Sequence, residues 1–396
     1  MTRGSEFFFN TRLTLPDLVK VERFRRAPDL GPRLLFFSGG SALFQTSRVL
    51  THFTHNSIHL ITPFDSGGSS REIRNQFKML AVGDLRSRLM ALADQSFLGN
   101  PDVYRLFATR LPLDLEPSAL ATELKQLVDG EHPLIRALQD PLRKIIRNHL
   151  RFFQNAMPAT FNLAGASIGN LILVGGYHNN RRQMDPTLYL FGKLVEARGM
   201  VRPITTSNLD LKATYQDGIE VVGQHLITGK ESKAKPNRIE RLKLVGRSGG
   251  SVPKLKRKVA QLIETADLIC YPMGSFYSSL LCQFSVKGTA EAIAKNPVPK
   301  VYIPNWGDDP EEYGLTLADK VERLLDSLKC NAERPLADSD VLNFVLIDRQ
   351  GGPPEFKSQL KGIEARGIQV IDCDLADPNQ SGLIDPNKLV LMLLSF

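Results

Sequence analysis

The sequence predicts an α/β fold of the Rossmann-like, doubly wound kind, a mostly parallel sheet carrying a helical insertion and a β-hairpin decoration. Short apolar runs at 33–37, 58–61, 267–271 and 300–304 each have the length of a buried strand. Three of them lead into turns rich in glycine and serine, at 38–41, 65–70 and 272–279. Helical patterns separate the runs, so strand, loop and helix alternate as in a parallel sheet covered on both faces. Such sheets bind ligands where strand ends converge, which predicts that Ser38, Asp65, Gly274 and Asn305 meet in one crevice.

With 396 residues and 42% hydrophobic content, the chain can bury a large core, as one domain with additions or as two. The pattern divides it into an extension at 1–32, a core at 33–330 and an α/β segment at 331–396 that completes the core or packs on it. Cys270, Cys282, Cys330 and Cys373 form no C-x-x-C pair and stand in apolar or strand-like surroundings. That argues for reduced, buried thiols and against disulfides or a zinc site. No apolar stretch approaches the roughly 18 residues of a membrane-spanning helix, so a soluble, cytoplasmic protein is expected. The net charge of +8 is local: 230–258 holds eleven Lys or Arg against Glu231 and Glu240, a balance of +9, which leaves the remainder at −1. No aromatic platform accompanies this run, which counts against nucleic acid and points to an acidic or protein partner, or to a phosphate-rich ligand.

In chain order, 33–37 reads as the first strand, 38–41 as a tight turn and 42–50 as a helix. SGGSAL is neither a G-x-G-x-x-G pattern nor a Walker A loop, so phosphate contact and simple helix packing both stay open for Gly39 and Gly40. His52, His55 and His59 have metal-like spacing, but His59 falls in a strand and the others at a helix end or in a loop, which argues against a shared ion. The strand at 58–61 must stop at Pro63. Asp65, Ser66, Gly67, Gly68, Ser69 and Ser70 then lead into a helix from Arg71. Paired glycines let amides point outward together and the serines can cap, which makes a cradle for an anion. A carboxylate such as Asp65 beside that cradle calls for a metal ion, a sugar hydroxyl or a general base between the two.

The stretch at about 95–155 reads as a helical insertion, with helices at 103–108, at 118–128 under a Ser118 cap, and at 133–153. Arg143, Lys144, Arg147 and Arg151 form a solvated face of the last. Gly165, Ala166, Ser167, Ile168, Gly169 and Asn170 open an apolar helix whose small residues suit the close approach of a ligand or another backbone. Asn170 is placed to cap that helix or to touch the ligand. A helix at 186–198 stopped by Gly199, a strand at 201–205 and a hairpin of 211–215 with 219–225 around Asp217-Gly218 follow. The basic run is expected to form a loop near the site through 246–250, then a helix at 253–265. In GSFYSS, Gly274 and Ser275 can turn amides or hydroxyls toward phosphate, while Phe276 and Tyr277 wall a base or simply pack. The acidic 308–312 stretch reads as a loop with the character of a lid, before a helix at 316–328, strands at 341–347 and 368–371, and a terminal helix at 387–396.

Taken together, SGG-S-AL, D-x-GGSS, VGDLR, GASIGNL, ADLI-x-x-P-x-GSFYSSL and KVYIPN, in this order, resemble the 2-phospho-L-lactate transferase family over about 33–325. One branch moves a phospholactyl group from a guanosine diphosphate donor to a flavin-like acceptor; the other comprises bacterial gluconeogenesis factors, which bind UDP-sugars. GGSS and VGDLR are closer to the second. Two positions depart from that branch: Ser66 stands where a second aspartate is usual, and Ala166 where a histidine is usual.

The resemblance implies a nucleotide diphosphate or nucleotide-sugar ligand. Its phosphates would be contacted by Ser38, Gly39, Gly40, Ser41, Gly67, Gly68, Ser69, Ser70, Gly169, Asn170, Gly274, Ser275 and Asn305. It also implies Mg²⁺ held by Asp65 and Asp84. If the protein is an enzyme, an acceptor hydroxyl attacks phosphorus while Arg74 or Arg86 stabilises the developing charge. A non-catalytic nucleotide-sugar regulator and a degenerate scaffold are the other readings, and a homodimer is left open.

Overall fold

The apolar run LLFFS forms β1 (Leu34–Ser38), buried throughout, and its alternation serves two cores at once. Leu35 and Phe37 join the cluster that holds Phe276 and Phe284, whereas Leu34 and Phe36 join the one that holds Leu50 and Leu389. The structure, a computed structural model, describes residues 14–96, 99–229, 237–246, 252–357, 360–380 and 382–396. Residues 1–13 of the 1–32 extension and parts of the basic run, at 230–236 and 247–251, therefore lie outside the described residues, as does most of the expected 246–250 loop.

The further strands are β2 (Ile58–Ile61), β3 (Met200–Pro203), β4 (Leu209–Tyr215), β5 (Glu220–Val222), β6 (Ile239–Gly246), β7 (Leu268–Tyr271), β8 (Lys300–Tyr302), β9 (Phe344–Ile347) and β10 (Gln369–Asp372). Seven of them form one sheet in the order β10-β9-β8-β7-β1-β2-β3, with every pairing parallel. The chain starts in the middle at β1 and moves outward on both sides, so the topological switch point lies at the C-terminal end of β1. β9 and β10 extend this sheet, so the C-terminal segment completes the core. Between β2 and β3 the chain builds a helical lobe with its own apolar cluster, from Ile73 and Leu85 to Phe107, Leu171 and Phe191. Among the described residues no helix is long and apolar enough to cross a membrane.

The local differences from the sequence reading have physical causes. The expected 133–153 helix is two helices, Pro133–Arg136 and Leu142–Ala156, because Pro141 has no N–H to continue the ladder. Ser118 lies inside the helix Pro117–Asp129, which begins on Pro117 with Glu116 at the cap position. The hairpin is present as β4 and β5, but its second strand is short and gives way to the helix Gln224–Ile227. β4 also pairs antiparallel with β6, so part of the basic run is an edge strand of a three-stranded sheet. The helix expected at 253–265 starts at Arg257, since Leu255 N bonds Lys287 O at 2.8 Å and holds the approach extended. The four cysteines are free; Cys270 and Cys282 are buried as expected, while Cys330 is exposed.

Candidate functional site

The turn after β1 is shaped from below. Arg88, fully buried on the helix Gly83–Leu92, donates to Leu43 O at 2.8 Å, Gly39 O at 3.0 Å and Gly40 O at 3.4 Å, and also to the Ser47 hydroxyl. Pinning these carbonyls inward turns the opposite edge of the SGGS turn to the crevice. Burial draws the Arg88 pKa down to about 10, with Asp84 opposing, so it remains a cation at neutral pH. Above it, a Cβ on Gly40 would lie 2.3 Å from Asp84 Oδ1, so the Asp84 carboxylate rests directly on that glycine. Gly83 plays the same part for the other loop: its Cβ would lie 2.7 Å from Ser70 Oγ and 3.1 Å from Asp65 Oδ2.

The DSGGSS turn closes on itself when Asp65 Oδ1 accepts from Gly67 N at 3.0 Å. The helix Gly68–Phe77 begins there with no side-chain cap, and the helices Gly83–Leu92 and Ile168–Asn179 likewise begin without one. Residues from the first turns of all three line one cavity of about 480 Å³. The uncapped starts of the first two favour an anion at that point, while the third contributes Asn170, its first amide being bonded to Thr109 O at 3.0 Å. Gly40, Ser41, Gly67, Gly68, Ser69 and Ser70 line it, and so do Asp65, Asp84, Arg86 and Asn170. A polar chain crosses its wall: Asn170 Nδ2 donates to Ser69 Oγ at 3.3 Å, and Arg86 Nε donates to Asn170 Oδ1 at 3.0 Å. Burial and the nearby Arg110 bring the Arg86 pKa down to about 10.

Several expected site residues are placed elsewhere. Arg74 is a correction: it is fully buried and donates to Phe64 O at 3.0 Å and Asn208 Oδ1 at 3.1 Å, and it pairs with Asp210 at 3.1 Å. Its guanidinium ties the loop before the GGSS turn to the start of β4 and has no place on the cavity wall. Ser38 is buried beneath the turn, its hydroxyl accepting from Arg88 at 3.4 Å. Gly39 packs against Ser279, where a Cβ would come within 2.5 Å of Oγ. Gly169 is buried, with Arg86 Cδ and Phe107 O each 2.7 Å from where a Cβ would be, so it makes room for Arg86 and stays off the wall.

The expectation of a single crevice also needs correcting. Gly274 and Asn305 line a second cavity of about 490 Å³, which shares Ser275 and Thr228 with the first. The Asn305 side chain is spent on Gly274, accepting from its N at 2.8 Å and donating to its O at 2.7 Å. Phe276–Leu280 forms a single π-helical turn whose donors are already filled. Asp309 Oδ2 accepts from Phe276 N at 2.8 Å; Glu311 Oε2 accepts from Tyr277 N at 2.7 Å and Ser278 N at 2.8 Å. The acidic 308–312 stretch is therefore no lid. Its Glu311 and Glu312 are buried, and burial pushes the Glu312 carboxyl up to about 7 despite the 2.6 Å pair with Lys320. Phe276 and Tyr277 pack in the core, Tyr277 donating to Ile239 O at 3.0 Å. Of the three histidines, His59 is buried and stacked on Phe36 while His55 bonds Asp29.

The sequence reading missed Arg88, Arg110, Ser279, Gln224 and His225. The last two come from the helix after β5 and reach the polar cavity. Ser66, at the departure from the paired aspartates, accepts from His225 N at 3.2 Å and bonds His225 Nδ1 at 2.8 Å. No local signal links positions so far apart in the chain. Arg88 did carry one, since an arginine amid buried helix positions needs carbonyl partners.

Among the described residues no group of three or more His, Cys, Asp or Glu side chains comes together to hold a metal. Asp65 and Asp84 nonetheless face one cavity with the hydroxyls of Ser70 and Ser279, in cradles that a Cβ on Gly83 or Gly40 would fill. Two carboxylates with room for phosphate oxygens and water fit Mg²⁺, which is seldom held by protein ligands alone.

Comparison with known proteins agrees with this architecture. A family model described as 2-phospho-L-lactate transferase CofD matches residues 34–383. The chain is 26% identical to a gluconeogenesis factor of Bacillus subtilis, covering 89% of each protein. It is also 26% identical to a gluconeogenesis factor of Listeria monocytogenes, covering 89% of this chain and 91% of that protein. In fold it matches a crystal structure of a UPF0052 family member from Bacillus halodurans, with a TM-score of 0.67 and 21% identity over 92% of this chain and 99% of that one.

Proposed function

The chain belongs to the 2-phospho-L-lactate transferase CofD family, and from that premise we propose that it binds a nucleoside diphosphate conjugate with the phosphates in the polar cavity. The observation that carries this reading is the convergence of the uncapped starts of the helices Gly68–Phe77 and Gly83–Leu92, joined by Asn170, on one cavity that also holds Asp65 and Asp84. Amides of the GGSS turn and the Ser69 and Ser70 hydroxyls take phosphate oxygens, and Arg86 supplies a fixed positive charge. Asp65 and Asp84 would hold Mg²⁺, which when bound supplies charge neutralisation on the phosphate oxygens.

In the catalytic form of this reading, an acceptor hydroxyl attacks the outer phosphorus. A new O–P bond forms, the bond to the nucleoside phosphate breaks, and the hydroxyl proton passes to a carboxylate of the pair. Arg86 and the turn amides stabilise the charge that grows on the phosphoryl oxygens. A non-catalytic regulator is the second reading, favoured by the withdrawal of Arg74 into the core and by the name gluconeogenesis factor carried by two relatives.

Calorimetry of the protein with GDP, UDP and UDP-sugars, with and without Mg²⁺, tests the shared part. Micromolar, Mg²⁺-dependent binding is the expected result; no binding of any diphosphate overturns it. Release of nucleoside monophosphate on adding acceptor alcohols then separates enzyme from regulator.

A further inference from the structure

His225 lines the polar cavity from the short helix Gln224–Ile227, half-buried and held from two sides. Gly223, at φ +112°, lets the ring fold back over its own turn: a Cβ there would lie 3.0 Å from His225 Cε1 and 3.2 Å from Nδ1. From the loop after β2, the Ser66 hydroxyl accepts from His225 N at 3.2 Å and meets Nδ1 at 2.8 Å. Arg71 Nε donates to Ser66 O at 3.1 Å and so fixes the serine on that loop. Ser66 is 2% exposed and does not line the cavity, so Nδ1 turns into the protein and the Nε2 edge of the ring faces the cavity.

Two bonds to one oxygen decide the tautomer. The Ser66 hydroxyl has a single hydrogen, it is buried, and among the described residues its acceptor is His225 Nδ1. Were Nδ1 protonated, Ser66 Oγ would accept from both His225 N and Nδ1, and its own O–H would be a buried donor with nothing to receive it. With Ser66 donating to Nδ1 every group is satisfied, and the proton of the neutral ring sits on Nε2.

We infer that Ser66 is a positioning residue that makes His225 a hydrogen-bond donor at Nε2, and that this N–H contacts a phosphate oxygen of the anion in the polar cavity. The inference rests on the nucleotide reading above. A ring already protonated at Nε2 presents no lone pair to the cavity, so it does not take the proton of an acceptor hydroxyl, which stays with the carboxylates. No bond is made or broken at the imidazole; its N–H supports the charge on the phosphate oxygen. An aspartate at 66 would reverse the arrangement, because a carboxylate only accepts: it would draw the proton to Nδ1 and leave Nε2 as a base. The departure at Ser66 therefore changes what the cavity offers its ligand.

Nitrogen-15 NMR of the full chain with labelled histidine reads the tautomer before any ligand is added, the His225 signals being assigned by their loss in His225→Gln. At alkaline pH, Nε2 should carry the proton and Nδ1 none, and Ser66→Asp should exchange the two. A proton on Nδ1 in the parent protein overturns the inference. Calorimetry with Mg²⁺-pyrophosphate and with UDP tests the contact. His225→Gln keeps an N–H donor near the Nε2 position and should bind both within about threefold of the parent, whereas His225→Leu should bind both about tenfold more weakly. Affinities equal in all three proteins, or losses equal for the two variants, would remove the donor role while leaving the phosphate site standing. If neither probe binds the parent protein, the phosphate reading falls and takes the contact with it.

Discussion

The 65–70 turn after β2 and the 274–279 turn after β7 are built alike, each a glycine and serine stretch that leaves a strand of one sheet and starts a helical turn. In the first, the helix start lacks a side-chain cap and faces a cavity. In the second, the donors of Phe276, Tyr277 and Ser278 are filled by Asp309 and Glu311 from more than thirty residues away. The same local chemistry thus leaves an open cavity in one case and builds a brace in the other. What differs is the reach of the carboxylate: Asp65 closes only Gly67 N within its own turn, whereas Asp309 and Glu311 come from a distant loop and fill three successive amides.

The comparison predicts opposite readouts for the carboxylates of the two regions. Replacing Glu311 with alanine leaves two buried amides and the Ser278 hydroxyl without an acceptor, and should cost about 3–5 kcal/mol in urea unfolding. A loss below ~1 kcal/mol would mean that the brace is replaceable by water. Asp65→Asn should do the reverse, keeping stability within ~1 kcal/mol while lowering Mg²⁺-dependent nucleotide affinity by roughly a hundredfold. If it instead unfolds the protein as Glu311→Ala does, the two turns are not different in kind.

A pH series sharpens the contrast. The Glu312 carboxyl titrates at about 7 in the folded protein against 4.5 as its ordinary value, so between those values the folded state binds more protons than the unfolded. Stability contributed by Glu312 therefore falls as pH rises through that window. Glu312→Gln should gain on the parent protein steadily from pH 4.5 to 7 in chemical denaturation; a gap that closes in the other direction refutes the assignment. The smallest effect is expected from neutralising Lys254, Lys256, Arg257 and Lys258 together. None of them lines the polar cavity, so nucleotide affinity should change by less than about threefold at physiological salt. A larger loss in calorimetry would bring the basic run into the site.

Much of the sheet was legible because β1, β2 and β7 are short apolar runs ended by residues that cannot extend them. β6 was not, since Glu240, Arg241 and Lys243 mask the alternation with Ile239, Leu242 and Leu244 behind a strong charge signal. Asp65, Asp84, Arg86 and the GGSS residues could be placed from the motif order, and the structure gathers them on one wall. Arg74 and Arg86 could not be told apart as types: each sits on a helix beside the site, and only its full burial among carbonyls shows that Arg74 braces backbone while Arg86 lines the cavity. The Asp309 and Glu311 brace was invisible for another reason, because a filled turn and an open one have the same local sequence.

The position of β1 between β7 and β2 also sets a schedule for the growing chain. Leu34 pairs with Leu268, whereas Leu35 pairs with Ile58. At about 5–20 residues per second a ribosome needs on the order of ten to forty seconds to carry the chain from Ile58 to Leu268. Throughout that interval one edge of an apolar strand waits for a neighbour still unmade, and the turn after it has no opposite wall. The polar cavity is then a late product of synthesis, and a nascent chain stalled before β7 would offer chaperones a bare LLFFS edge.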